Sequence, residues 1–294
     1  MAQVYSPTLG ARPARAGRTV GCALQTWPDS PEAREIETRH TAEDGCGSHA
    51  WYREVFGELY PLLYPHRNDE AAAHEAAAFV RLVSIGGPGT RVLDLACGAA
   101  RHAQALCSFG AHVWGLDLSA HLLQLAARRG CLDGRIVRAD MCRLPFRPAF
   151  DLVVNLFTSF GYFPDDKLNA DVLGEVFRVL LPRGVFLLDH LNRPALERAL
   201  VAEDVRRGDG FTIRQRRRIE GRRIRKRIEI SWDDGRIRGL EEDVRLYTAA
   251  EMKLLLQEAG FSRVRFYGSF QGDALTEGSE RMIAVAAKDL AGRT

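Results

Sequence analysis

The sequence lacks paired cysteines and the spacing of a zinc site. None of its cysteines forms a Cys-x-x-Cys pair, and no Cys/His cluster has zinc-ligand spacing. The six cysteines are Cys22, Cys46, Cys97, Cys107, Cys131 and Cys142. Such scatter is typical of reduced thiols in a cytosolic protein and not of a disulfide framework. We therefore expect neither a metal site nor a disulfide scaffold.

Long apolar runs are also missing. No run reaches the roughly 18–20 residues of a membrane span, and the N-terminal region lacks the apolar core of a secretory signal. The formal net charge is only +3, which by itself argues neither for nor against a nucleic-acid partner. These observations predict a cytoplasmic protein without membrane contact.

The first part of the chain differs from the rest. Residues 1–48 show little apolar periodicity and are rich in proline, glycine, serine, threonine and charge. We expect a disordered extension there. Residues 49–87 contain a strong helical pattern at 68–83, and we interpret them as a helical cap.

From residue 88 onward, strand-like and helix-like segments alternate. The apolar runs that indicate strands are 90–96, 111–117, 134–140, 150–157 and 185–191. The helical patterns between them are 100–110, 120–130, which Ser119 can cap, and 167–180, and Pro182 and Gly184 should end the last of these. This alternation indicates a parallel sheet with helices on both faces.

The pattern resumes near the C-terminus. Thr248 and Glu251 have the spacing of a capping box ahead of a helix. Two strand-like runs then follow, 263–270 and 281–288, with a connection too short for a helical crossover, so they should pair antiparallel. We predict an α/β fold with a Rossmann-like, mostly parallel seven-stranded sheet and an antiparallel last strand. Its core should span residues 88–205 and be completed by 248–294.

An arginine-rich segment interrupts this core. Residues 206–247 are predicted to form an inserted, basic antiparallel β lid, with turns at Glu220-Gly221 and Asp234-Gly235. Alternation places Ile213 on one face and Arg214 on the other. The lid could steer an anionic small molecule, an acyl-carrier protein or RNA. Alternatively, it is a solvated strand face whose charge is balanced by its own acids.

The turn after the first predicted strand, within VLDLACGAARHA, indicates which class of ligand the protein binds. It lacks the G-x-G-x-x-G of a diphosphate-binding turn, and Asp94 precedes it, which would repel a diphosphate and attract an ammonium group. Asp117 ends the next strand, where a ribose hydroxyl acceptor belongs. Asp140, followed by Met141, ends the third predicted strand, and this pair suits the edge of an adenine ring. Ribose, adenine and an ammonium group without a diphosphate describe S-adenosyl-L-methionine.

Over roughly residues 50–290 the chain resembles the class I S-adenosylmethionine-dependent methyltransferases. The resemblance is carried by VLDLACGAARHA, VWGLDLS, RADMCRLPF, FDLVVNLFTSFGYF and LLPRGVFLLDHLN. It implies a methyl transfer to O or N of a small molecule by in-line displacement. It also implies cofactor-binding positions at Tyr60, Tyr64, Asp94, Ala96, Gly98, Asp117, Leu118, Asp140, Met141, Asn155 and Leu156. Core packing remains an alternative role for Tyr60 and Tyr64.

Two residues are candidates for the catalytic machinery. Tyr162 follows the fourth strand, where the resemblance places a group near the transferred methyl, and it could orient or polarise the acceptor. His190, at the end of the fifth strand, has a side chain whose ordinary pKa suits a general base. For both, a purely structural role is the alternative.

The acceptor class follows from two further absences. Residues 155–158 read Asn-Leu-Phe-Thr and lack the prolines of the tetrad in enzymes that methylate exocyclic amines of bases. A Pro-Cys dipeptide of the C5-cytosine type is also missing. Both absences favour a small molecule as the methyl acceptor. The alternatives are a tRNA or rRNA methyltransferase that uses the arginine-rich hairpin, a non-catalytic binding module, and a nicotinamide dehydrogenase, which Asp94 disfavours.

Overall fold

A mixed seven-stranded sheet forms the centre of the protein. The computed structural model describes residues 51–289. The strands are β1 (Arg91–Leu95), β2 (His112–Asp117), β3 (Ile136–Arg138), β4 (Phe150–Asn155), β5 (Leu180–Leu191), β10 (Arg263–Tyr267) and β11 (Arg281–Ala287). Their order is β10-β11-β5-β4-β1-β2-β3. Strands β1 to β5 run parallel, and β11 is antiparallel to both β5 and β10. The predicted fold class is confirmed.

A second, separate sheet follows β5. Its four antiparallel strands, in the order β6-β7-β8-β9, are β6 (Glu203–Gly208), β7 (Phe211–Glu220), β8 (Arg223–Trp232) and β9 (Ile237–Arg245). Both predicted turns join its strands. The prediction that Ile213 and Arg214 lie on opposite faces of this sheet is also confirmed, since Ile213 is buried and Arg214 is exposed. We call this four-stranded sheet the lid sheet.

Helices cover both faces of the central sheet. They are α1 (Trp51–Val55), α2 (Tyr60–Leu63), α3 (Asp69–Val83), α4 (Arg101–Ser108), α5 (Ala120–Ala127), α6 (Asp166–Val179), α7 (Arg193–Ala199) and α8 (Ala249–Glu258). One apolar cluster contains Val176 of α6 and Leu256 of α8, and the other contains Phe79 of α3 and Leu106 of α4. Each cluster includes strand residues, so apolar burial on both faces holds the sheet in place.

The capping signals in the sequence act as predicted. The Thr248 side chain accepts from the Glu251 N–H at 3.2 Å, and the Glu251 carboxylate accepts from the Thr248 N–H at 2.9 Å. Ser119 caps α5 by accepting from the Leu122 N–H. These local bonds satisfy N–H groups that the first turn of a helix leaves unpaired.

Two element predictions are corrected. Helix α6 ends at Val179 and β5 begins at Leu180, so residues 180–184 belong to a strand. The prediction that a helix ends at residue 180 and is followed by a break at Pro182 and Gly184 is therefore wrong. This segment is extended because its backbone bonds to Lys288, beyond β11: the Arg183 N–H donates to Lys288 O and the Lys288 N–H donates to Gly184 O, both at 2.9 Å. Strand β6, a polar segment, was not predicted at all.

Some predictions stay untested. The proposed disorder of residues 1–48 lies outside the described residues, and the domain boundaries and the cytoplasmic location stay predictions. Within residues 51–289, none of the helices combines the length and apolarity that crossing a membrane requires.

Candidate functional site

A cavity of about 270 Å³ opens at the carboxyl edge of the central sheet. Its floor is formed by the turn after β1 and by the segments that follow β2 and β3. Helices α1 and α2 and the loop after β4 cover it. This is the edge where open α/β sheets bind ligands. Eight of the predicted site residues line it, namely Tyr60, Ala96, Gly98, Asp117, Leu118, Asp140, Met141 and Tyr162.

The turn after β1 is built from left-handed residues. Ala96, Gly98 and Ala100 have φ values of 60°, 55° and 59°. Glycine adopts this conformation freely, but alanine pays a steric cost of about 1–2 kcal/mol. The Cys97 N–H donates to Leu116 O at 3.0 Å and the Ala100 N–H donates to Cys97 O at 2.9 Å, which holds the turn against β2. The small side chains leave the main chain open to a ligand.

Asp117 ends β2 and lines the cavity. Its carboxylate accepts from the Gly98 N–H and from the Ser119 N–H, each at 2.8 Å. Burial raises its pKa, and the backbone hydrogen bonds oppose that rise. Each carboxylate oxygen has a second lone pair for a hydroxyl donor, so this oriented acceptor fits a ribose.

Asp140 and Met141 lie further along the same edge. The Asp140 carboxylate accepts from the Cys142 N–H at 2.9 Å, which leaves it oriented at the cavity wall beside Met141. Leu118 lines the cavity as well. A polar acceptor and two apolar side chains that line one cavity suit the edge and faces of an adenine ring.

Asp94 and Asn155 lie deeper, at the ends of β1 and β4, and do not line the cavity. Burial raises the pKa of Asp94 to about 6. Its Oδ2 and the Asn155 Oδ1 are buried and have no hydrogen-bond partner within residues 51–289. Leu156 is buried beside them. Orphaned buried acceptors are costly, and an ammonium group has the donors that would satisfy them.

Aromatic rings cover the cavity. The Tyr162 ring centroid lies 4.8 Å from that of Trp51, 5.7 Å from Phe56 and 6.0 Å from Tyr52. Tyr60 lies 5.5 Å from Phe56. These contacts join α1 and α2 to the loop after β4 and exclude water from the space between them.

Tyr64 does not line this cavity. Its hydroxyl donates to Glu242 and accepts from Lys226, both of the lid sheet. Lys226 also pairs with Glu242 at 2.8 Å. Tyr64 therefore connects α2 to the lid sheet, and its predicted contact with the cofactor stays a prediction.

The two catalytic candidates differ in position. Tyr162 lines the cavity, and burial raises the pKa of its hydroxyl well above the ordinary value, so it stays protonated. His190 is fully buried, packs at 5.9 Å from the Tyr247 ring and has a pKa lowered by burial. Its Nδ1 lies 3.0 Å from Leu191 O, and the side chain does not reach the cavity wall. Tyr162 can donate a hydrogen bond to a bound ligand, whereas His190 is not placed to accept a proton from one.

Arg67 also lines the cavity, although it was not predicted as a site residue. Its guanidinium lies 4.5 Å from the Tyr64 ring centroid and 5.0 Å from that of Phe157, and it donates to the Tyr60 hydroxyl. Tyr52 and Phe56 were missed as well. The regular spacing of aromatic residues across 51–64, followed by Arg67, is the signal that could have identified all three.

Comparison with known proteins agrees with this geometry. Residues 92–184, which contain most of β1, the turn after it and strands β2 to β4, match the family described as "Methyltransferase domain". The chain is a class I S-adenosylmethionine-dependent methyltransferase. Its cofactor is S-adenosylmethionine, and the orphaned acceptors on Asp94 and Asn155 together with the oriented carboxylate of Asp117 fit that molecule.

Three relatives illustrate the similarity. The methyltransferase is 28% identical over 242 residues to a cypemycin N-terminal methyltransferase from a Streptomyces species, covering 80% of this chain and 96% of the relative. It is 27% identical over 277 residues to a glycine/sarcosine N-methyltransferase from Parasynechococcus marenigrum, covering 90% and 91%. The solved structure of the sugar N-methyltransferase KedS8 from a Streptoalloteichus species superposes with a TM-score of 0.63 at 25% identity, covering 84% of this chain and 100% of that one.

Proposed function

We propose that this methyltransferase transfers the methyl group to the nitrogen of a small-molecule amine. Two of the relatives described above are named as N-methyltransferases, one of glycine and sarcosine and one of a sugar, and the third is named as an N-terminal methyltransferase. The methylation of nitrogen that the first two names give supports an amine acceptor for this chain.

The position of Tyr162 carries the proposal. An alcohol must lose its proton before or during methylation and needs a general base, whereas a neutral amine attacks with its own lone pair. Tyr162, the ring at the loop after β4, is held protonated by burial, and His190 does not reach the cavity. Of the two catalytic candidates, the one that lines the cavity is thus a hydrogen-bond donor and not a base, which matches the needs of an amine.

The roles of the site residues follow from this chemistry. Bound S-adenosylmethionine supplies a methyl group already activated by its sulfonium. Asp117 and Asp140 orient the nucleoside, and Asp94 with Asn155 offers acceptors to the ammonium group. Tyr60 and Tyr162 hold the acceptor in line and exclude water, and such alignment supplies roughly 7–11 kcal/mol of the barrier.

The charges of the lid sheet favour a small molecule over RNA. On its outer face, Arg218 and Arg225 both pair with Glu220, at 2.7 and 2.6 Å, and Arg227 pairs with Glu241 at 2.9 Å. Arginines that are paired with acids within the sheet release fewer counterions from a nucleic acid than unpaired ones. Aromatic rings for base stacking are also scarce there, since within β6 to β9 only Phe211 and Trp232 are aromatic.

The experiment compares matched acceptors. The full chain is incubated with S-adenosylmethionine and pairs of small molecules that differ only in an amine or a hydroxyl, and S-adenosylhomocysteine formation is measured. We expect turnover of amines, with kcat/KM rising as pH approaches the acceptor pKa because only the neutral amine reacts. Turnover restricted to hydroxyl acceptors, or to a tRNA or rRNA transcript, would reject the proposal.

A further inference from the structure

A charged pair lies on the apolar inner face of the lid sheet. Lys226 of β8 and Glu242 of β9 are cross-strand partners, and Lys226 Nζ lies 2.8 Å from Glu242 Oε2. Because side chains alternate along a strand, Lys226 shares its face with the buried Ile228 and Ile230. The two charged side chains are only 11% and 15% exposed. Burial of two charges is costly, so the placement of this pair points to a role beyond packing.

Both charges bind the hydroxyl of Tyr64, the residue that follows α2. Lys226 Nζ donates to this hydroxyl at 2.5 Å, and the hydroxyl donates to Glu242. Burial and the carboxylate of Glu242 raise the pKa of Tyr64, so the hydroxyl keeps the proton that it donates. We call Tyr64, Lys226 and Glu242 the polar triad. Its three hydrogen-bonding groups satisfy one another, which fixes the orientation of the Tyr64 ring.

The Tyr64 ring contacts two side chains that line the cavity. Its centroid lies 5.2 Å from that of Tyr60 and 4.5 Å from the guanidinium carbon of Arg67. Arg67 also donates to the Tyr60 hydroxyl, so the three side chains hold one another. The lid sheet is thus connected to this wall of the cavity through the side chain of Tyr64.

The attachment of α2 to the lid sheet does not require the charges. Leu63 of α2 already packs in one buried cluster with Ile213, Ile228 and Leu240 of the lid sheet. Apolar contacts of this kind are non-directional, whereas hydrogen bonds are directional. The polar triad therefore adds orientation to a contact that apolar burial makes on its own.

We propose that Lys226 and Glu242 are positioning residues of the cofactor cavity, which orient Tyr64 and thereby hold Tyr60 and Arg67 against bound S-adenosylmethionine. Neither charged residue lines the cavity, so both act through Tyr64. The proposal rests on this cavity as the cofactor site and is independent of whether nitrogen or oxygen accepts the methyl group.

The decisive variant replaces the whole polar triad by apolar groups. Y64F/K226M/E242M leaves no member unpaired, and replacing buried polar partners together is often neutral or stabilising. We expect it to unfold at a denaturant concentration no lower than that of the wild type. In calorimetry on the full chain, S-adenosylhomocysteine should nevertheless bind about tenfold more weakly, because the contacts of Tyr60 and Arg67 are misplaced. A triad that only stabilises the fold would leave this affinity unchanged.

Two further variants separate the hydroxyl from the charges. Y64F keeps the ring and both charges, and it should weaken S-adenosylhomocysteine binding as much as the triple variant, because the charges act through the hydroxyl. K226E/E242K exchanges the charges between β8 and β9. The Tyr64 hydroxyl can then still donate to a carboxylate and accept from an ammonium group. Its affinity should therefore stay within about twofold of the wild type.

The matched control lies on the same two strands. Arg227 and Glu241 are the adjacent cross-strand partners, and they pair at 2.9 Å on the outer face of the lid sheet. R227M/E241M removes this exposed pair and should leave S-adenosylhomocysteine affinity unchanged.

Three results would overturn the inference. They are wild-type affinity in Y64F or in the triple variant, an equal loss in R227M/E241M, and a loss in K226E/E242K as large as in the triple variant. The measurements need no methyl acceptor, so such results leave the proposed N-methylation standing. Conversely, an absence of amine turnover contradicts N-methylation and leaves the role of the polar triad standing.

Discussion

The carboxylate of Asp117 accepts a hydrogen bond from the backbone N–H of Gly98, at 2.8 Å. This bond ties the end of β2 to the turn after β1, so the residue proposed to bind the ribose also shapes the turn that the cofactor approaches. One side chain thereby couples two walls of the cavity. The same carboxylate holds the Ser119 N–H at the start of α5.

Replacement of Asp117 with alanine should therefore weaken cofactor binding. We expect a loss of about 1–3 kcal/mol, the contribution of a charge-assisted hydrogen bond. Titration calorimetry with S-adenosylhomocysteine measures it. D151A removes an acid from the opposite end of β4, where it pairs with Arg91 at 3.1 Å, and serves as control. Equal affinity in D117A and the wild type would refute the assignment.

The strands and caps that were predicted are those with local signals. Ser119, Thr248 and Glu251 cap their helices through bonds to residues three positions away, which sequence spacing alone specifies. Strand β6 has no such signal. Its residues Glu203–Gly208 become a strand because each pairs with a residue of β7, a contact made by the tertiary structure.

The same distinction applies to the site. Asp117 and Asp140 were predictable because strand ends of a parallel sheet meet at one edge. Arg67 was missed, because only the tertiary structure brings the segment after α2 to the cavity, and the aromatic spacing ahead of Arg67 is a weaker signal than a strand end. His190 was predicted from its place at the end of β5, but the register that pairs it with Met282 buries its side chain beside Tyr247.

Asp94 should make the protein without cofactor less stable at neutral pH. Its pKa is raised to about 6, above the unfolded value of 3.8, so the folded state disfavours its ionised form. This penalty is absent below the unfolded pKa, grows between the two values, and reaches roughly 3 kcal/mol above pH 6.

We therefore expect D94N to unfold at higher denaturant concentration than the wild type at pH 8, and at a similar concentration near pH 4. S-adenosylhomocysteine should bind D94N more weakly, because an amide does not attract an ammonium group as a carboxylate does. Chemical denaturation and calorimetry measure the two effects. A D94N protein less stable than the wild type at pH 8 would contradict this account.

Ala100 should tolerate replacement by glycine. Its φ of 59° costs an alanine about 1–2 kcal/mol, and glycine avoids this cost but loses about 0.5–1 kcal/mol in backbone entropy. A100G should gain roughly 0.5–1 kcal/mol of unfolding free energy and retain cofactor affinity. A103G, inside α4, is the matched control and should lose about 1 kcal/mol. A destabilised A100G would show that the methyl group packs more favourably than its conformation costs.

Asp189 should position the loop after β4. Its buried carboxylate accepts from the Phe157 N–H at 2.8 Å and pairs with Arg281. Phe157 and Thr158 both have left-handed φ values, 55° and 59°, which need such outside support. D189N should lose about 1–3 kcal/mol of stability. R263Q, which removes an exposed ion pair, should lose less than about 0.5 kcal/mol by the same denaturation measurement.

Replacement of Tyr162 with phenylalanine distinguishes a role in orienting the acceptor from a role in binding the cofactor. Y162F removes the hydroxyl but keeps the ring that packs between Tyr52 and Phe56, so the aromatic cover of the cavity remains. We expect kcat on an amine acceptor to fall about tenfold, the loss of one oriented hydrogen bond in the transition state, with S-adenosylhomocysteine affinity unchanged. Y247F is the control, because Tyr247 donates to Asp166 away from the cavity wall.

The pH dependence of kcat shows whether the Tyr162 hydroxyl acts as a base. If it did, Y162F would also remove an ionisation from the kcat profile. Because burial holds this hydroxyl protonated, the profiles of Y162F and the wild type should differ in height and not in shape.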